Sequence, residues 1–108
     1  MNQIITDNLP AIRAICEQFG VARLELFGSA ARDDFDPETS DVDVIVDFLD
    51  YGPGVTDRYF GLTNALQDLL GRSVDITFAR KLSNPYFLDE IEADRTTLYG
   101  PKDRSAAA

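Results

Sequence analysis

Histidine is missing from this chain altogether, and that one absence removes a large part of the usual enzymatic repertoire. Neither a histidine base or nucleophile nor a His-containing zinc site can be built from it. A single cysteine, Cys16, cannot close an internal disulfide, which agrees with a reducing, cytoplasmic compartment. No apolar run approaches the ~20 residues that a bilayer requires, so no membrane contact is expected. The opening MNQIITDNLP also lacks the basic start and apolar stretch of a secretory signal. Neither G-x-x-x-x-G-K-[ST] nor G-x-G-x-x-G occurs, which argues against P-loop and Rossmann chemistry. Positive charge is scarce too: 10 Lys and Arg face 19 Asp and Glu, for a net charge of −9. Such a surface repels phosphate backbones, so direct nucleic-acid binding is not expected. It suits a basic protein partner, and it equally serves simple solubility.

What is present reads as one domain over residues 1–108, with 44% hydrophobic residues and no internal repeat. Asp7 or Asn8 with Pro10 starts a helix, whose apolar stripe of Ile12, Ile15, Cys16 and Phe19 ends at Gly20. Cys16 on that stripe reads as a core residue. Arg23 to Phe27 predicts a short strand, and Asp41 to Phe48 a second with Val42, Val44, Val46 and Phe48 on one face. Asp41, Asp43, Ile45 and Asp47 take the other face; Asp47 lies about 13 Å from Asp43 along the strand and reads as solvated. Tyr51 to Val55 reads as a flexible connection. Thr56 or Asp57 is expected to cap a helix carrying Tyr59, Leu62, Leu66, Leu69 and Leu70, stopped by Gly71. Ser73 to Phe78 predicts a third strand with Asp75 turned away from the apolar side. Asn84-Pro85 opens a last helix to about Asp94, and residues from about 101 to 108 are expected to fray. The fold class is α/β (α+β): a small sheet with flanking helices.

The segment with the most chemistry is LELFGSAARDDFDPETSDVDVIV, from Leu24 to Val46. Residues i and i+2 of a strand share a face, so Asp41 and Asp43 set two carboxylates side by side. Like charges that close are costly unless a cation lies between them. Hard oxygen ligands in small number, with room for water and phosphate, suit Mg²⁺ rather than zinc. Gly28-Ser29, at a strand end, offers free backbone N–H groups and a hydroxyl to a phosphate. A metal beside a phosphate cradle means phosphoryl or nucleotidyl transfer. An EF-hand starting at Asp34 fails, because position six is not glycine and Ile45 stands where a bidentate Glu belongs.

Gly-Ser, a spacer and Asp-x-Asp resemble the signature of the DNA polymerase β-like nucleotidyltransferase superfamily. Its third carboxylate, on a later strand, is matched by Asp75 in Ser73-Val74-Asp75-Ile76-Thr77. The small size and the ending Asn84-Pro85-Tyr86…Leu98-Tyr99-Gly100 resemble the minimal nucleotidyltransferases, MNT antitoxins encoded beside HEPN-domain toxins. The likeness runs from about Ile12 to Gly100. One departure stands out: the usual spacer is about ten residues, and Ala30 to Ser40 makes eleven.

The resemblance implies a polymerase β-like core with a mixed sheet. It implies Asp41, Asp43 and Asp75 as catalytic metal ligands for Mg²⁺, two ions in all, with ATP as substrate. Gly28 and Ser29 would contact its phosphates. Arg32 matches an arginine usual in the family; it either offsets triphosphate charge or pairs with Asp33, Asp34 or Asp36. Superfamily members acting on tRNA ends or aminoglycosides carry extra acceptor-binding domains, for which 108 residues leave no room. The acceptor implied by the resemblance is a tyrosine of a HEPN-domain RNase toxin, which receives AMP within a hetero-oligomeric complex. The alternatives are an antitoxin that masks its toxin stoichiometrically, and a subunit of a small-molecule nucleotidyltransferase.

Overall fold

The computed structural model describes residues 3–28, 41–79 and 96–100. The chain begins with two short helices, α1 (Gln3–Asp7) and α2 (Leu9–Gln18), then runs through β1 (Val21–Phe27) and β2 (Val42–Phe48). A longer helix, α3 (Val55–Leu70), leads to β3 (Val74–Phe78), and β4 (Thr96–Tyr99) follows. The four strands form one mixed sheet in the order β3-β2-β1-β4. The central pair β1 and β2 is antiparallel, β4 runs antiparallel to β1, and β3 runs parallel to β2. Parallel neighbours need a crossover, and α3 supplies it. The mixed sheet with flanking helices is the architecture expected from the pattern. The last helix expected from Asn84 lies outside the described residues.

Two elements were not foreseen. The helix α1 is separated from α2 at Asn8, where Pro10 in the first turn of α2 has no N–H to continue the ladder backward. Asn8 then bonds both segments: its side-chain amide donates to the Ile4 carbonyl at 2.8 Å, and its carbonyl accepts from Ile12 N–H at 2.9 Å. Strand β4 is four residues long and exists as a strand through its pairing with β1.

One face of the sheet carries the core. Leu24 and Leu26 of β1, Val42, Val44, Val46 and Phe48 of β2, Val74 of β3 and Leu98 of β4 pack with Ile12 and Cys16 of α2 and Leu62, Leu66 and Leu70 of α3. Cys16 is fully buried, as its place on the apolar stripe requires. Aromatic rings close this layer at the C-terminal ends of β2 and β3. Tyr59 stacks on Phe78 at 5.0 Å, and Phe48 and Tyr51 meet edge to face.

The α3 cap differs from expectation. Gly54 occupies the N-cap position and no side chain caps the helix; Thr56 and Asp57 lie in the first turn, where Asp57 still suits the positive end of the dipole. Gly71 ends the helix in the left-handed region, with its N–H on the Gln67 carbonyl at 2.8 Å. The Tyr51–Val55 connection is tied down: the Tyr51 hydroxyl donates to the Asp47 carboxylate and accepts from Phe48 N–H. Asp47 is therefore half-buried and hydrogen-bonded rather than simply solvated.

Gly61 explains how α2 and α3 come so close. A Cβ built there would stand 2.4 Å from Phe19 Cε1, with two more ring atoms near 3.0 Å and 3.1 Å. Gly61→Ala gains about 1 kcal/mol of helix propensity but overpacks this contact at a cost of about 1–3 kcal/mol. Urea unfolding is expected to show a net loss of about 1 kcal/mol. In a Phe19→Ala background the same change is expected to stabilise. A stabilising Gly61→Ala in the otherwise unchanged chain would show that the ring yields freely.

Candidate active site

The chemistry-bearing side chains gather on the sheet face away from the helix-side core, where β1 ends and β2 and β3 begin. Alternation along β2 sends Val42 and Val44 into the core and Asp43 to the other side. The parallel register sets Asp43 directly opposite Asp75, and the antiparallel register sets it opposite Phe27. Directly paired residues place their Cβ atoms about 5 Å apart, so the two carboxylates share one site. Val42 N–H donates to the Ser73 carbonyl at 3.0 Å, which locks the starts of the two strands together and fixes that juxtaposition. Asp41 precedes the first residue of β2 and is exposed; Asp43 is half-buried and Asp75 exposed.

Gly28 follows the last residue of β1 with φ 73°, a conformation that L side chains resist. A Cβ there would stand 2.9 Å from the Asp43 Oδ2 and 3.7 Å from its Cγ. Glycine is thus required twice, by the turn and by the carboxylate pressed against it. The tight turn was expected from Gly-Ser; the contact with Asp43 was not. Ser29 and Arg32, the other two expected phosphate contacts, lie outside the described residues, as does the eleven-residue spacer.

Burial raises the Asp43 carboxyl above the ordinary aspartate range, and the negative charges of Asp75 and then Asp41 add to the shift. This is the signature of a carboxylate held beside its like and short of positive charge. Among the described residues no group of three or more His, Cys, Asp or Glu stands gathered as a ready metal cage. Mg²⁺ does not ask for one, because it keeps several waters and takes one or two carboxylates plus substrate phosphates. Asp43 with Asp41 or Asp75 supplies a donor set of that kind: hard oxygens, in small number, open to solvent on one side.

The face is less open than the alternation implied. Ile45, one row beyond Asp43, is buried, and so is its cross-strand partner Glu25. Glu25 escaped sequence reasoning because a single glutamate between Leu24 and Leu26 reads as an ordinary outward residue of a strand.

The sequence profile of the nucleotidyltransferase domain matches residues 10–98. The chain belongs to that family. A nucleotidyltransferase relative in Methanocaldococcus jannaschii, named "putative protein adenylyltransferase", is 38% identical over 78 residues, covering 72% of this chain and 76% of the relative. The solved structure of a "putative minimal nucleotidyltransferase" superposes with a TM-score of 0.72 at 29% identity, over 89% of this chain and 95% of that one. The fold is also that of a chain in the solved complex of a tri-AMPylated Shewanella oneidensis HEPN toxin with MNT antitoxin. That match has a TM-score of 0.61 at 18% identity, over 90% of this chain and 73% of that one.

The raised Asp43 carboxyl carries a stability consequence. Its folded-state value lies above the unfolded one, so the folded state binds the proton more tightly. The fold is therefore penalised once pH rises above the ordinary aspartate value of 3.8 and Asp43 ionises. In metal-free buffer, Asp43→Asn is expected to melt at a higher temperature than the parent at pH 7, and the advantage is expected to shrink as pH falls through the raised Asp43 value and to be gone by about pH 4. Melting curves recorded from pH 3.5 to pH 8 check this. A variant less stable than the parent at pH 7 would mean that Asp43 is held by favourable contacts rather than strained by its neighbours.

Proposed function

We propose that this nucleotidyltransferase is a Mg²⁺-dependent protein adenylyltransferase. In this reading it acts as an antitoxin, transferring AMP from ATP to a tyrosine of a HEPN-domain RNase toxin. The observation that carries it is the in-register pair Asp43 and Asp75, flanked by Asp41 and pressed against the Gly28 turn. The name of the archaeal relative and the antitoxin complex sharing the fold support the same reading.

Asp41 and Asp43 would hold Mg²⁺ against the triphosphate, and Asp75 would complete the place of a second ion. When bound, the metal supplies positive charge for the phosphates and the departing pyrophosphate. The chain's own residues do the rest. The Gly28 turn lets the backbone approach the phosphates without a Cβ in the way, and Ser29 would donate its hydroxyl to a phosphate oxygen. Asp75, exposed beside Asp43, would accept the proton of the tyrosine hydroxyl. The tyrosine oxygen bonds to the α-phosphorus, the bond to pyrophosphate breaks, and one proton passes to the carboxylate. An anionic adduct beside an RNA-cleaving site would block entry of the phosphate backbone by charge and bulk.

The acidity of the chain favours a second reading. A net charge of −9 fits stoichiometric masking of a basic toxin, with no chemistry at all.

Turnover separates the two. With ATP and Mg²⁺, a catalytic amount of this protein is expected to inactivate a large molar excess of the cognate toxin, which stays inactive after separation. Its intact mass should rise by one or more AMP groups located on tyrosine. The Asp41→Asn/Asp43→Asn double variant should leave that mass unchanged. Full inhibition with unaltered toxin mass, at one protein per toxin and reversed by salt, would sink the enzymatic reading and establish masking.

A further inference from the structure

Glu25 is the one buried charged residue among those described, with 5% of its surface exposed. It lies in the middle of β1, paired with Ile45 of β2 on one side and Thr97 of β4 on the other. Leu24 and Leu26 fill the helix-side core, so strand alternation turns Glu25 to the face that carries Asp43 and Asp75. Asp43 pairs with Phe27, two residues further along β1, which sets Glu25 on the diagonal about 7–8 Å from Asp43. A valine or threonine in that row would pack between Ile45 and Thr97 without desolvating a charge. A carboxylate there brings a charge into an enclosed row on the face of the site.

We propose that Glu25 is a positioning residue of the candidate site, a buried negative charge one row behind Asp43 and Asp75 that strengthens the hold of this face on a divalent cation. The inference rests on the metal-dependent reading above. Its force is electrostatic: removing a unit charge one row behind Asp43 weakens the attraction of this face for a dication by a few-fold even with water-like screening, and by more where the intervening medium is protein. Glu25 is engaged in a polar interaction of its own.

The test uses Mn²⁺ alone, titrated into the metal-free protein at low salt and followed by the resonance of the free ion. Glu25→Gln and Glu25→Met, two charge-free variants of similar size, are expected to bind Mn²⁺ at least about threefold more weakly than the parent, and Glu25→Asp within about twofold of it. Asp43→Asn serves as the reference for loss of the site. Affinities of the charge-free variants within twofold of the parent, while Asp43→Asn binds poorly, would overturn this inference and leave the site assignment standing. Saturable binding that Asp43→Asn leaves intact, or no saturable binding by the parent, would overturn both. A second readout follows the modification reaction itself: added Mg²⁺ should restore Glu25→Gln towards the parent rate, a rescue that a purely structural role for Glu25 would not produce.

Discussion

The parallel pairing of β2 with β3 is the constraint on which the rest depends. It sets Asp43 opposite Asp75 and holds together two groups that repel each other. An isolated pair of strands would relieve that repulsion by slipping or splaying. Slippage by one residue is prevented because it would turn Val42, Val44 and Val46 out of the core and the aspartates into it. The hydrophobic face thus fixes the register, and the register fixes the spacing of the charges. The hydrogen bond from Val42 N–H to Ser73 adds a backbone pin at the place where the repulsion acts.

The two ends of the sheet are accordingly built for opposite purposes. At the C-terminal ends of β2 and β3, rings of Phe48, Tyr51, Tyr59 and Phe78 pack together. The Arg58 guanidinium lies 5.3 Å from the centre of the Phe48 ring while reaching Asp50 at 3.0 Å. The ion pair itself is partly exposed and contributes little; its use is to join the end of β2 to the first turns of α3. At the other end stand exposed aspartates and a glycine turn. Packing at the closed end lets the open end carry unfavourable charge, a division common where stability is traded for chemistry.

Much of this was legible before any coordinates. The 3.6-residue stripe of α2 and α3 and the alternation in β2 and β3 come from segments long enough to show their period, and the side on which Asp43 and Asp75 stand follows from that alternation alone. What stayed hidden lacked a local signal. Thr96–Tyr99 is too short for alternation to declare itself, and only the free edge of β1 makes it a strand. Gln3–Asp7 is little more than one helical turn, held by burial of Ile5 and by the Asn8 amide on the Ile4 carbonyl. Gly54 took the N-cap of α3 although Thr56 and Asp57 are better capping residues, because capping depends on where the backbone turns into the helix. The burial of Glu25 and Ile45 was invisible for a related reason: alternation tells which face a residue takes, not whether that face is enclosed.

The place of β4 has a consequence for how the molecule comes to be. β1 is central, and its partners arrive at very different times: β2 follows closely along the chain, whereas Leu24 waits for Tyr99, about 75 positions later. Closing so long a loop is entropically costly, so the sheet is completed by a non-local step, of the kind that slows folding towards milliseconds and beyond. The β2-α3-β3 unit needs no such closure. The strands bearing Asp43 and Asp75 can therefore pair while β1 still has an open edge, and an incompletely folded chain presents that edge to other strands. β4 is thus the strand that covers the free edge of β1 and completes the four-stranded sheet.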